Sequence, residues 1–258
     1  MTLTRELKRR GVNVIARTAV DRVDTGANLG ATVHYRQGDS DEDRTAYGEV
    51  VLAAIGRVPN TDADWFRSSG LKLDERGYVT VDGYGRTNLD GVWALGDITP
   101  GHALAHRAFE QGITIAEKIA GADPKPVIDD TVPQVVFSFP EAASVGLTLD
   151  QAKAREDVVE PKETAYPMLS NARMLMSGEG GSMTVVSGAF ANNPDMQVVL
   201  GVHIVSPIAS DLIAEAEQLV GNRVPLADAA RLIHPHPTFS ETLGEALLKA
   251  DGRPLHTR

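Results

Sequence analysis

RTNLDGVWALGDITPGHALAHRAFEQG, Arg86 to Gly112, decides how this chain is read. The apolar run Val92–Leu95 predicts a strand that stops at Gly96–Asp97. A helix follows from about His102 to Ala120, and Gly121 is its stop signal. Strand, Gly-Asp turn and helix in that order make an α/β unit, and in open α/β sheets ligands sit at the carboxyl ends of the strands. Asp97 stands at that end, where it can accept hydrogen bonds from the hydroxyls of a sugar or ribityl chain. The helix start near Ala103, Leu104, Ala105 and His106 offers free backbone N–H groups and a partial positive charge. That suits an anion or an electron-rich ring edge. A Gly-Asp turn that only caps the helix accounts for the same residues.

Upstream, EVVLAAIG (Glu49–Gly56) is continuously apolar and predicts a buried, parallel strand. Gly56 ends it and would let a ligand approach the backbone. Arg57 then faces a phosphate or a surface carboxylate. The chain opens partway through a helix, stops at Gly11, and continues with a short strand at Val12–Ile15 and a half-exposed strand at Ala31–Tyr35. No GxGxxG occurs, so a nucleotide-binding domain here would lack its first βαβ unit.

Downstream, ADPKPVIDDTVP (Ala122–Pro133) is the best domain boundary. Beyond it the pattern becomes α+β. Gln134–Pro140 predicts a strand, and two antiparallel strands flank a turn at Ala191–Asp195. Residues 209–221 predict an amphipathic helix with Leu212, Ile213, Ala216, Leu219 and Val220 on one side. A short helix around Leu226–Ile233 leads into LIHPHPTFSETLGEA, Leu232 to Ala246.

In that last stretch His234 and His236 alternate with prolines, so neither sits in a helix interior. Thr238 and Glu241 form T-x-x-E, a capping box for the helix ETLGEALLKA. One carboxylate oxygen can cap while the other orients the His236 imidazole, an arrangement suited to proton transfer near neutral pH. A capped turn without chemistry explains the same residues.

Composition narrows the classes. The chain has 258 residues, a net charge of −10 and no cysteine. The acidic balance argues against nucleic acid and anionic membranes as partners. Without cysteine there is no disulfide framework, thiolate zinc site or cysteine nucleophile. The remaining histidines show no metal-ligand spacing, so no metal site is expected. No apolar run approaches the roughly 20 residues that span a bilayer. With no signal-peptide core at the N-terminus, the expected compartment is the cytoplasm.

VVLAAIGRVPNT, the Arg86–Gly112 stretch, VPQVVFSFPEAASVGLT and HPHPTFSE occur in an order that resembles the FAD-dependent pyridine nucleotide–disulfide oxidoreductases. Within that family LAHRAFEQG and HPHPTFSETLGEA are most similar to the dihydrolipoamide dehydrogenase branch. The resemblance implies partial, Rossmann-like FAD- and NAD-binding domains followed by an α+β interface domain. Residues 1–60 would close the NAD-binding domain, 61–129 would return to the FAD-binding domain, and 130–258 would form the homodimer interface. Gly56 and Val20 would line the NAD site. Asp97 would hold the FAD ribityl chain, and Ala103, Leu104, Ala105 and His106 would approach the flavin. His236 would be the catalytic base and Glu241 its orienting carboxylate, serving the flavin and disulfide of the opposite subunit. The His236–Pro237 bond would be cis.

The resemblance also implies a reaction, the reoxidation of dihydrolipoamide by NAD⁺ through a disulfide and FAD. Its partner would be the lipoyl group of a 2-oxo acid dehydrogenase or glycine cleavage complex. Both GxGxxG motifs and the redox-active CxxxxC of the family are absent from this sequence. The expectation is therefore a C-terminal portion, inactive alone and without bound flavin, with residues 1–129 poorly stable. A quinone, mercuric or glutathione-type reductase, or a non-catalytic dimerisation fragment, are the alternatives.

Overall fold

The computed structural model describes residues 2–26 and 30–257. Two compact units follow from its contacts, Thr4–Val58 and the chain from Pro59 onward.

Helix α1 (Thr2–Arg9) ends, as its basic last turn and Gly11 predict, with Gly11 at φ 83°. The strand expected at Val12–Ile15 does not form. Strands β1 (Thr18–Thr25), β2 (Ala31–Gln37) and β3 (Arg44–Gly48) make an antiparallel meander in that order. A bulge between Val20 and Arg22 breaks the β1–β2 register. Asp21, within that bulge, accepts from Arg36 at 2.6 Å, and the guanidinium holds its carboxyl below the usual range.

Glu49–Gly56 corrects the sequence reading. It is not a buried parallel strand but an irregular segment, and Val50, Leu52 and Ile55 are 87%, 87% and 96% exposed. The physical reason is pairing. A buried strand needs hydrogen-bonded neighbours and covered faces, and the described sheet of this unit contains only β1, β2 and β3.

In the second unit, α2 (Asp64–Ser68) places Phe66 against Val79 and Ala94 in a small apolar cluster. Val92–Leu95, expected as a strand, contributes only an isolated bridge between Arg86 and Trp93. Tight turns take the place of a ladder here. Asp74 accepts the N–H groups of Arg76 and Tyr78, and Asp82 those of Tyr84 and Arg86. A 3-10 turn at Gly96–Ile98 precedes α3 (Ala105–Ile119), which starts three residues later than expected.

Residues beyond 131 build a five-stranded antiparallel sheet from β4 (Gln134–Val136), β5 (Glu141–Gly146), β6 (Val158–Pro167), β7 (Ser182–Phe190) and β8 (Asn193–Ser206). The strand order is β4-β5-β8-β7-β6. β4 is shorter than the predicted Gln134–Pro140, because its ladder with β5 ends at Val136–Ala142 and the chain turns to begin that partner strand at Glu141. The β7–β8 turn is also tighter than expected. Phe190 pairs with Asn193, so Pro194 and Asp195 belong to β8. They are tolerated there because that end of β8 is exposed.

Helices α4 (Leu149–Ala154), α5 (Ala172–Ser177), α6 (Ala209–Gly221), α7 (Leu226–Ala229) and α8 (Glu241–Ala250) complete the unit. All five predicted α6 positions, Leu212, Ile213, Ala216, Leu219 and Val220, are buried. They join Leu243 and Leu247 of α8 over Val145, Val185, Val202 and Ile204 of the sheet. A second cluster, with Ala152 of α4 over Val186, Val198 and Leu200, covers the sheet elsewhere. This core fixes α8, and therefore the loop that enters it.

Candidate active site

The loop Leu232–Ser240 carries both histidines into α8, and His236–Pro237 is cis. Ser240 is the residue before the helix but makes no side-chain cap bond. Glu241, in the first turn, instead ties the preceding loop to the helix. Its Oε2 accepts the Thr238 N–H at 2.7 Å, and its Oε1 accepts from His236 Nδ1 at 2.8 Å. Only half of the predicted capping box is present, since the Thr238 hydroxyl donates to the Pro235 carbonyl at 2.6 Å.

The electrostatics follow from that geometry. Burial pulls the Glu241 carboxyl upward. The Thr238 N–H and the His236 ring outweigh it and hold the carboxyl below its ordinary value. Glu241 is therefore an anion at neutral pH, and Nδ1 of His236 must carry the proton it donates. The neutral ring then has its lone pair on Nε2. The His236 side chain is 71% exposed whereas Glu241 is 21% exposed. An oriented imidazole with an outward Nε2 and a carboxylate behind it can accept a proton and stabilise the imidazolium.

His234 is held by the fold. Its side chain is 9% exposed, and Nε2 lies 2.9 Å from Glu215 Oε1 on α6. Glu215 raises the imidazole above its ordinary value, against the opposing effect of burial. The ring lies against α8, where a Cβ on Gly244 would come 2.6 Å from Nδ1. A glycine inside a helix costs about 1 kcal/mol in propensity, and the seat of the His234 ring is its physical reason. Glu215 was missed by sequence reasoning because it stands 19 residues away and has a structural partner only after α6 packs. Asn171 was missed for the same reason; its Nδ2 donates to the Thr238 carbonyl at 3.1 Å across 67 residues.

The other predicted residues lie elsewhere. Asp97 is exposed in the 3-10 turn, and the Gly96 N–H of that turn donates to Gln111 Oε1 at 2.9 Å. The turn is thus tied to α3. Ala103, Ala105 and His106 are exposed and Leu104 is half-buried at the start of α3. Leu104 provides no side-chain cap, so the first-turn N–H groups are left for an acceptor, and the two alanines leave the backbone approachable. His106 Nε2 reaches the Pro133 carbonyl at 2.7 Å. Arg107, 6% exposed, is bonded to Asp129 at 2.6 Å and to the Pro100 carbonyl. These contacts hold the helix start to the linker. The arrangement fits a flat ring with an electron-rich edge and a hydroxylated chain beside it.

Val20 is exposed in β1 and Gly56, at φ 123°, is exposed in the irregular segment after β3. A Cβ at Gly56 would meet nothing within 4 Å. Among the described residues no group of three or more His, Asp or Glu could hold a metal ion. No described helix is long and apolar enough to cross a membrane.

Comparison with known proteins agrees with this architecture. Residues 1–112 match the pyridine nucleotide-disulphide oxidoreductase family, and residues 132–247 match the dimerisation domain of the same family. The chain belongs to the pyridine nucleotide-disulphide oxidoreductases, mixed α/β proteins with Rossmann-like domains. Within them, it is 39% identical over 254 residues to the dihydrolipoyl dehydrogenase of Cupriavidus necator, covering 98% of this chain and 51% of that protein. It is 37% identical over 260 residues to the dihydrolipoyl dehydrogenase of Geobacillus stearothermophilus, covering 98% of this chain and 52% of that protein. The chain spans about half the length of the curated relatives it matches. Among solved structures, LpdA from Mycobacterium tuberculosis superposes with a TM-score of 0.81 at 30% identity, over 96% of this chain and 51% of that one. The flavoprotein disulfide reductase RclA of Escherichia coli shares the fold, with a TM-score of 0.80 at 22% identity, over 95% of this chain and 54% of that one.

Proposed function

We propose that this chain supplies part of a flavoprotein oxidoreductase that reoxidises dihydrolipoyl groups with NAD⁺. The carrying observation is the His236–Glu241 pair at 2.8 Å, with the second carboxylate oxygen on the Thr238 N–H. In this reading His236 Nε2 takes the proton from a dihydrolipoyl thiol, and Glu241 stabilises the imidazolium that forms. The thiolate attacks a redox-active disulfide by exchange, a disulfide this cysteine-free chain does not contain. FAD, when bound, supplies the route for electrons from dithiol to NAD⁺. Asp97 would hold its ribityl hydroxyls, and Ala103, Leu104, Ala105 and His106 its ring edge. Val20 and Gly56 would border NAD. Residues 130–258 would pair in a homodimer, with His236 facing the other subunit. The lipoyl group would come from a 2-oxo acid dehydrogenase or glycine cleavage complex.

The test uses the pair within a protein that also carries the flavin-binding and disulfide segments. His236→Gln should lower turnover of dihydrolipoamide by about 10²-fold or more, the usual range for losing a general base. Near-normal turnover overturns the assignment. Assays with lipoamide, glutathione disulfide and quinones decide among the related reductases.

A second reading is a dimerisation module without flavin. It is favoured by the concentration of the core in residues 143–250, while Val50, Leu52, Ile55 and Val58 stay exposed. A purified chain with stoichiometric flavin absorbance would remove it.

A further inference from the structure

Thr238 holds the proton-transfer pair, and Asn171 holds Thr238. The Thr238 N–H donates to Glu241 at 2.7 Å, while its carbonyl accepts from Asn171 Nδ2 at 3.1 Å. Asn171 is 5% exposed, and its Oδ1 accepts the Met174 N–H at 3.0 Å to start α5. One buried amide thus works at both ends. Its oxygen caps a helix and its nitrogen anchors the catalytic loop. Two residues on, the Arg173 guanidinium stands over the Phe239 ring at 5.5 Å, a second contact between α5 and the residue after Thr238.

The fold needs such an anchor. His236 is exposed and lies in a loop, and among the described hydrogen bonds its ring meets α8 through Glu241. A donor on Oε2 fixes the plane of the Glu241 carboxylate and so the direction in which Oε1 meets His236. The Thr238 N–H is that donor. If the Thr238 backbone turned, Oε2 would lose its donor, the carboxylate would hold its proton more readily, and Oε1 would be presented to His236 less rigidly.

We propose that Asn171 is a positioning residue of the His236–Glu241 pair: by anchoring the Thr238 carbonyl it keeps the Thr238 N–H on Glu241 and leaves the other carboxylate oxygen to His236. The proposal rests on reading that pair as the proton-transfer group. Asn171 touches no substrate in it.

The competing explanation is that Asn171 only caps α5. The two roles separate by chemistry. Ser and Thr are good cap acceptors for the Met174 N–H but lack the amide donor that reaches Thr238. Asn171→Ser and Asn171→Thr therefore keep the cap and remove the anchor, and Asn171→Ala removes both. The readout is the ¹³C titration of the Glu241 carboxyl in this chain, beside its thermal midpoint. The proposal expects an upward shift of the Glu241 titration in all three variants, with the large loss of thermal stability confined to Asn171→Ala. A Glu241 titration unchanged in the Ser and Thr variants overturns it, whatever Asn171→Ala does to stability. The parent chain supplies a test that needs no variant. The Asn171 Nδ2 protons should exchange slowly with solvent, and exchange as fast as that of an exposed amide also overturns the proposal. Because ionisation is read rather than turnover, the outcomes stay distinct. Normal turnover of His236→Gln would remove the chemical role and leave the anchor, and an unmoved Glu241 would do the reverse.

Discussion

Two runs of apolar sequence meet opposite fates in this chain. Val185, Val186, Val198 and Val202 of β7 and β8 are 0% exposed, whereas Val50, Leu52, Ile55 and Val58 are 87%, 87%, 96% and 87% exposed. Hydrophobicity does not distinguish them, since both runs are rich in Val, Leu and Ile. Partnership does. β7 and β8 are joined by a two-residue turn, so each finds its neighbour locally, and β5 and β6 flank the hairpin on either side. Residues 50–58 have the composition of a parallel strand, whose neighbours come from far along a chain. An apolar run is a strand only where a ladder and a cover exist for it.

Substitutions in the covered core and in the exposed run should differ in cost. Leu247→Ala in the α8 core should cost about 3 kcal/mol, since Leu247 is fully buried between helix and sheet. Ile55→Ala should change stability by no more than about 0.5 kcal/mol, as expected for an exposed position. Urea unfolding of the two variants measures both, and comparable losses would mean that residues 50–58 are covered in solution.

A smaller effect sharpens what the well-packed half can hold. Gly244→Ala places a Cβ 2.6 Å from the His234 ring and should cost about 1–3 kcal/mol, although alanine is the better helix former. A variant more stable than the parent would show that His234 does not occupy its seat on α8.

The smallest effect depends on pH. His234 is raised above its ordinary value by Glu215, so protonation favours the folded state. That stabilisation is fully present below the unfolded value of about 6.5 and is lost as pH rises through the raised folded value. Relative to His234→Gln, the parent should gain about 1 kcal/mol in mildly acidic buffer, a figure kept small because Glu215 is partly exposed, and the gain should fade in alkaline buffer. Melting curves across that range test it, and a gap that widens with pH would refute the pairing.

Much of the second unit was legible in the sequence. The α6 stripe was readable from periodicity, and α8 from its cap signal and the prolines before it. The dual use of Glu241 was readable because cap and imidazole lie within five residues. β6 was not readable, because Pro161 and its charged neighbours hide an edge strand whose register shifts between Val159 and Lys162. Glu215 and Asn171 were not readable either, since each meets the HPHP loop only after distant helices pack. Val92–Leu95 misled in the opposite direction, because only Ala94 of it packs into a small turn-rich cluster, while Val92 and Leu95 are exposed and the run pairs through a single bridge.

Glu241 holds His236 with its proton on Nδ1 and its lone pair outward on Nε2. Ring ¹⁵N shifts of His236, recorded in alkaline buffer where the imidazole is neutral, read that directly. The parent should show the Nδ1–H tautomer, and Glu241→Ala should lose it. A predominant Nε2–H tautomer, or an equal mixture unaffected by removing Glu241, would contradict it.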